Sequence, residues 1–284
     1  RRSSDLYLLS FKNSMNTRIL FLGTGGDEFV IGKQKRTSGG IIFTYGSNQF
    51  HIDPGPSALM MSKMMSINLR ENVAILITGN EMFKANDVNA IISAMSHDGL
   101  DKRGVLVCPS SVAMIEKDNY PFLNPEYKKY LEKVMIIDNT KKLGINDIEI
   151  EVIELKKPLS KECGYKFITP RFNLAYIPNT QYDPNLADRL SNVDILILSV
   201  REPSSSDKKD CLTSTTAQEI IKKVKPQLTI LTGFGIKMLQ ADPLYEIRDI
   251  QKNTGVQVIA AKDGMSINPT SFSTTVRQKS LKGY

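Results

Sequence analysis

Cysteine is scarce in this chain, and its few cysteines are far apart. The 284 residues include only Cys108, Cys163 and Cys211. An odd number without close pairs argues against a disulfide framework and for a reducing compartment, so we expect a cytoplasmic protein. The same spacing argues against a zinc site built from thiolates, which usually needs ligands two to four residues apart.

Long apolar runs are also absent. No stretch approaches the roughly 20 apolar residues that a membrane-spanning helix needs, and no signal peptide is visible before the first convincing strand. We therefore expect no membrane partner. The hydrophobic content of 41% and the charged content of 24% are ordinary for a globular protein.

The positive charge of the chain is concentrated at its two ends. Of the formal net charge of +7, residues 1–18 carry +3 and residues 264–284 carry another +3, which leaves +1 for the body. Two interpretations stay open: the ends are solvated basic tails, or they bind a nucleic-acid partner.

Strand and helix patterns alternate along the chain without a glycine-, serine- or proline-rich linker. Predicted helices cover 57–67, 86–95, 215–224 and 243–254, and predicted strands cover 17–22, 41–45, 49–52, 73–78, 105–108, 134–137, 147–155, 165–168, 173–177, 194–200, 228–232 and 256–260. Both halves of the chain run from strands into strand–helix units. This pattern predicts one α/β domain over residues 18–267, a four-layer αββα sandwich, between an N-terminal extension (1–17) and a basic C-terminal tail (268–284).

Six segments, taken together, resemble the metallo-β-lactamase superfamily, in the branch that includes RNase Z-like hydrolases. They are Phe21–Gly26, His51–Pro56, the strand ending at Thr78, Tyr176–Thr180, Leu231–Gly235 and Ala260–Met265, and they occur in the family's order. The resemblance implies the αββα sandwich. It also implies an active site in which histidines and aspartates on loops at the strand ends hold one or two divalent metals, and a hydroxide attacks an ester, amide or phosphodiester.

The first position at which the resemblance implies metal ligands does not suit a metal. The histidine-rich motif expected after Thr78 corresponds to Gly79, Glu81, Phe83 and Lys84. Glycine and phenylalanine have no ligand atom, and a lysine ammonium repels a cation. Only Glu81 can coordinate a metal.

The later ligand positions fail in the same way. The stretch 156–162, where another histidine is expected, contains none. Asn179 takes the place of the bridging aspartate, and Gly233 takes the place of the last histidine. Asp53 survives, but the resemblance gives that aspartate a supporting role behind the metals.

We therefore expect a non-catalytic protein with a vestigial pocket, no catalytic residues, no metal and no cofactor. We expect a binding or scaffold role with a protein partner, which is a second copy of the chain, an active paralogue or another protein. The residues expected at this pocket are Asp53, Gly79, Glu81, Phe83, Lys84, Asp87, Asn179 and Gly233. We further hypothesise that Lys84 lies among Asp53, Glu81 and Asp87 and supplies the charge of the missing metal.

Two alternatives remain at this stage. One is a divergent hydrolase or phosphodiesterase that holds magnesium or manganese through the oxygen atoms of Asp53, Glu81, Asp87 and Asn179. The other is a non-catalytic nucleic-acid-binding protein that uses its basic tails.

Further predictions concern side chains around the pocket. His51 and Asp53 lie two residues apart on a predicted strand, so we expect them to face the same side and to form a structural pair. We expect the cleft to be lined by Tyr182, Arg201 and Glu202. A methionine-rich stripe is expected to pack in the core, and it consists of Met60, Met61, Met64 and Met65.

Overall fold

Fourteen strands and ten helices are present in the parts of the chain that the computed structural model describes, which are residues 16–115, 119–156 and 161–272. The strands are β1 (Thr17–Phe21), β2 (Ile41–Tyr45), β3 (Asn48–Ile52), β4 (Asn72–Leu76), β5 (Val105–Cys108), β6 (Lys133–Ile136), β7 (Lys142–Ile145), β8 (Ile148–Glu154), β9 (Cys163–Ile168), β10 (Asn173–Ile177), β11 (Ile195–Ser199), β12 (Leu228–Thr232), β13 (Gln257–Ala260) and β14 (Ser266–Ile267). The helices are α1 (Glu28–Gly32), α2 (Ala58–Met64), α3 (Met82–Ala85), α4 (Val88–Ser96), α5 (Ser110–Ala113), α6 (Pro125–Lys128), α7 (Leu186–Arg189), α8 (Ser214–Val224), α9 (Ile236–Gln240) and α10 (Pro243–Thr254).

The strands form two mixed sheets of seven strands each. The first sheet has the order β14-β1-β2-β3-β4-β5-β6, and the second has the order β13-β12-β11-β10-β9-β8-β7. In each sheet, antiparallel pairs change to parallel pairs, at β3–β4 in the first and at β10–β11 in the second. The predicted four-layer sandwich is confirmed, since apolar clusters lie both between the sheets and under the outer helices.

The interior between the sheets is built on aromatic side chains from both of them. Phe43 of β2 packs edge-on against Phe167 of β9 with ring centroids 5.0 Å apart, and Phe50 of β3 lies 5.3 Å from the same ring. These rings are fully buried. Because β2 and β3 belong to one sheet and β9 to the other, the contacts hold the two sheets face to face.

Amphipathic helices cover the outer faces. The predicted apolar face of α4, which consists of Val88, Ile91, Ile92 and Met95, is fully buried against the first sheet. On the second sheet, α8 begins at a capping box in which Thr213 and Thr216 exchange backbone and side-chain hydrogen bonds.

The methionine prediction is wrong for half of the stripe. On α2, Met60 is 61% exposed and Met64 is 65% exposed, whereas Met61 is 7% exposed and packs on Leu20, Leu22 and Ile42. Residues 60 and 64 are one helical turn apart and share the outward face, while 58, 61 and 65 face the sheet. A run of adjacent methionines does not indicate which of these faces is the buried one.

The predicted extension and tail fall mostly on residues outside the described ranges. Within those ranges, a 3₁₀ turn at Pro269–Phe272 follows β14, and Phe272 packs against the core. The domain bounds therefore stay predictions. No helix of the described residues is both long and apolar enough to cross a membrane.

Candidate functional site

Loops at one edge of the sandwich meet around a small cavity. Its volume is about 30 Å³, and five of the eight predicted pocket residues line it: Asp53, Phe83, Lys84, Asn179 and Gly233. They follow strands β3, β4, β10 and β12, so both sheets contribute. Glycines of the turn after β1 form another part of the wall, and a parallel bridge joins Gly25 to Phe234 across the two sheets.

A buried lysine with two carboxylate partners is the main feature of this site. The Lys84 Nζ lies 2.7 Å from Glu81 Oε2 and 2.9 Å from Glu162 Oε2, and the lysine side chain is 3% exposed. Burial alone would lower the pKa of Lys84, but the negative charges of Glu162, Glu81 and Asp53 outweigh it and raise the pKa. Lys84 is therefore a charged group inside the protein.

The predicted environment of Lys84 is right for Glu81 and wrong for Asp87. The Asp87 carboxylate accepts hydrogen bonds from Asn86 Nδ2 at 2.9 Å and from the backbone N–H of Leu59 at 3.4 Å. The chain turns between α3 and α4, and this turn directs Asp87 towards the start of α2. Asp87 is not among the residues that line the cavity in the described part of the chain.

Asp53 is held by donors on both sheets. Its carboxylate accepts from the backbone N–H of Thr78 at 2.7 Å, from Thr78 Oγ1 at 2.7 Å and from the hydroxyl of Tyr176 at 3.0 Å. Burial raises the pKa of Asp53 to about 6, although Lys84 and the Thr78 hydrogen bonds act in the opposite direction. Asp53 therefore links the end of β3 to the ends of β4 and β10.

The predicted His51–Asp53 pair is wrong. Nε2 of His51 donates instead to the carbonyl oxygen of Gly39 at 2.8 Å. Asp53 has a φ of +51°, so the backbone leaves the extended conformation there and the alternation of side chains stops. Burial lowers the pKa of His51 to about 4, which keeps the imidazole neutral near pH 7.

Asn179 and Gly233 both line the cavity. Asn179 is buried, and its Oδ1 has no hydrogen-bond partner among the described residues. Gly233 has a φ of +62°, and a Cβ added to it would lie 1.8 Å from Ser199 Oγ. The local backbone therefore accepts only glycine at position 233.

The three side chains predicted to line the cleft point elsewhere. Tyr182 donates from its hydroxyl to Glu219 of α8. Arg201 Nε lies 3.7 Å from Asp27 Oδ2, and Glu202 pairs with Lys208 at 2.9 Å. Each of the three is thus drawn to an oppositely charged or hydrogen-bonding partner outside the cavity.

Comparison with solved structures identifies the architecture. The metallo-β-lactamase fold protein YhfI from Bacillus subtilis superposes with a TM-score of 0.72, and the match covers 89% of this chain and 98% of that protein at 15% identity. The chain has the metallo-β-lactamase fold. A diphosphatase of the PhnP family (TM-score 0.63, 15% identity, 89% and 97% coverage) and the short form of human tRNase Z (0.61, 10%, 88% and 98%) are also similar in structure.

Sequence comparison finds one relative, whose own function is not given by its name. An uncharacterised protein of Methanocaldococcus jannaschii is 27% identical over 257 residues, which is 89% of this chain and 95% of that protein. A scan against models of known protein families finds no match.

The residues of this metallo-β-lactamase fold do not fit the metal centre that the resemblance implies. A lysine ammonium lies between the two nearest glutamates, and position 233 has no space for a histidine. Within residues 16–115, 119–156 and 161–272, no three His, Cys, Asp or Glu side chains are grouped so that they could hold a metal ion. The donor set present here is suited to binding a lysine ammonium.

Sequence reasoning missed Glu162 and Tyr176. Glu162 is the acid at the end of the stretch 156–162, where the resemblance implies a histidine. Residues 157–160 of that stretch lie outside the described ranges. The signal that could have found Glu162 is charge complementarity, because a buried lysine needs a carboxylate partner and the stretch 156–162 ends on one.

Proposed function

We propose that this protein is a non-catalytic member of the metallo-β-lactamase fold that acts by binding a protein partner. The observation that carries this proposal is the buried Lys84 ammonium, which is paired with Glu81 and Glu162 where the resemblance implies the histidine-rich motif. A fixed cation at this point opposes the binding of a divalent cation to the same carboxylates.

The size of the cavity supports the same proposal. A volume of about 30 Å³ is room for one or two water molecules. A hydrolase site has to admit both the scissile group and the attacking hydroxide, which needs far more space. Phe83 and Lys84 line this cavity together with Asn179 and Gly233.

A divergent hydrolase or phosphodiesterase is the second candidate. The favouring observation is Asn179, which lines the cavity and whose buried Oδ1 has no partner among the described residues. Together with Asp53 and Glu81 it offers oxygen ligands of the kind that magnesium and manganese prefer. The names of two similar structures, a diphosphatase and a tRNase Z, agree with this class of reaction.

A hydrolysis assay separates the two candidates. The full chain is incubated with bis(p-nitrophenyl) phosphate, a diphosphate ester and a precursor tRNA, each with added Mg²⁺, Mn²⁺ or Zn²⁺. The proposal expects no turnover above the buffer with any of the three metals. Turnover that depends on one metal and is lost in an N179L variant, which leaves the Lys84 ion pairs intact, would establish the hydrolase instead.

Affinity purification tests the binding role directly. The full chain should retain a defined protein partner, or a second copy of itself, at stoichiometric level. The remaining alternative, a nucleic-acid-binding protein, makes different predictions. The chain should then bind RNA, and this binding should weaken as the salt concentration rises and disappear when residues 1–15 and 273–284 are removed.

A further inference from the structure

The Lys84 ion pairs connect segments that are distant in the sequence. Lys84 and Glu81 belong to the loop and short helix that follow β4, whereas Glu162 directly precedes β9 of the other sheet. Beside them, the backbone N–H of Cys163 donates to the carbonyl of Thr78 at 3.1 Å, and the hydroxyl of Tyr165 donates to the carbonyl of Ile77 at 2.8 Å. The lysine therefore fastens β4 to β9 at the point where the two sheets meet.

The lack of a side chain at Gly79 leaves space for Glu162. A Cβ added at position 79 would lie 2.8 Å from Cγ and 2.9 Å from Cδ of Glu162. Any larger residue would push the Glu162 side chain away from Lys84. Two departures from the histidine-rich motif, Gly79 and Lys84, thus serve the same contact with Glu162.

The carboxylates around Lys84 outnumber it, so the lysine charge is needed to stabilise the cluster. Three carboxylates act on a single ammonium: Glu162 and Asp53 are buried, and Glu81 is 26% exposed. Removal of a cation from such a cluster leaves like charges close together in a medium of low dielectric constant, which is strongly unfavourable. The cluster then has to gain a cation or protons.

We propose, resting on the function proposed above, that Lys84 is a built-in cation which takes the electrostatic place of a metal ion and clamps β4 to β9. The proposal has a direct consequence. A chain without the lysine charge should bind a divalent cation between Glu81 and Glu162, and that cation should restore the clamp.

The distances select the cation that should work best. The two carboxylate oxygens lie 2.7 and 2.9 Å from Lys84 Nζ, and Ca²⁺ accepts oxygen ligands at about 2.3–2.6 Å in a flexible geometry, while Mg²⁺ demands about 2.0–2.1 Å in a regular octahedron. The oxygens therefore need to move less to bind Ca²⁺ than to bind Mg²⁺. Calcium is the probe of choice, and magnesium is the comparison.

Thermal unfolding of the full chain tests the proposal. Wild type, K84M and K84M/E162Q are compared at about pH 8, where free carboxylic acids are ionised. K84M should unfold at a lower temperature than wild type, and calcium at saturating concentration should raise its Tm by about 5 °C or more. Calcium should leave wild type unchanged, and it should have a much smaller effect on K84M/E162Q, which lacks one of the two ligands.

Several results would overturn the proposal. A Tm of K84M that does not respond to calcium would do so, and so would an equal response in K84M/E162Q. If K84M does not fold by itself, refolding must succeed with calcium and fail with a chelator; failure in both is also a refutation. Hydrolytic activity of the wild type would refute the proposed function instead, so the two failures are distinguishable.

Discussion

The substitution Gly233→Ala should be far more costly than an ordinary glycine-to-alanine change. At a φ of +62°, an alanine is strained by about 1–2 kcal/mol relative to glycine. Its Cβ would also lie 1.8 Å from Ser199 Oγ and 2.8 Å from Ser199 Cβ, and overpacking of this kind adds about 1–3 kcal/mol. The expected loss in the free energy of unfolding is therefore about 2–5 kcal/mol, measured by urea denaturation.

Gly255 provides a matched control for this substitution. It also has a positive φ, +70°, but an added Cβ would meet no atom within 4 Å. Gly255→Ala should therefore lose only the conformational part, about 1–2 kcal/mol. S199A should recover part of the loss in G233A, because it removes the closest atom and leaves Ser199 Cβ at the same place. Equal losses in G233A and G255A would refute the claim that position 233 is sterically closed.

Three further outcomes are expected. The pKa of His51 is about 4 in the folded state and about 6.5 in the unfolded state, so its contribution to the free energy of unfolding is complete above pH 6.5 and is lost as the pH falls. Between pH 7 and about 4.5, wild type should therefore lose about 2–3 kcal/mol more than H51Q. H51Q is the control because Asp53 titrates in it as in wild type. A wild-type loss equal to that of H51Q in chemical denaturation would contradict this. T213A should lose about 1 kcal/mol, with T215A as the control, because it removes the cap of α8. M60K/M64K should unfold within about 0.5 kcal/mol of wild type, whereas M61K should be strongly destabilised, because only Met61 is buried.

Most of the architecture was predictable because apolar runs and apolar periodicity both indicate buried elements. The residues of β11 are all buried, as a parallel strand covered on both faces requires, and four of its five residues are apolar. The order of the six segments that resemble the metallo-β-lactamase superfamily then predicted the four-layer sandwich. The short elements α5, α6 and α7 escaped prediction, because four residues are too few to show a helical period.

The partners of the site residues were harder to predict. Glu162 is 78 positions from Lys84, and no sequence spacing reports such a contact. The resemblance and charge complementarity predict Asp87 beside Lys84, but the turn into α4 separates the two side chains. Alternation along a strand predicts that His51 and Asp53 face the same side, but the positive φ of Asp53 ends the extended conformation there. Local backbone geometry decided each of these contacts.

The central claim is that the cation of this site is Lys84. Elemental analysis of the wild-type chain tests it most directly. The protein is purified without chelator, exposed to excess Zn²⁺, Mn²⁺ or Mg²⁺, and desalted. No stoichiometric metal is expected in any preparation, and one or two equivalents of a metal retained per chain would contradict the claim.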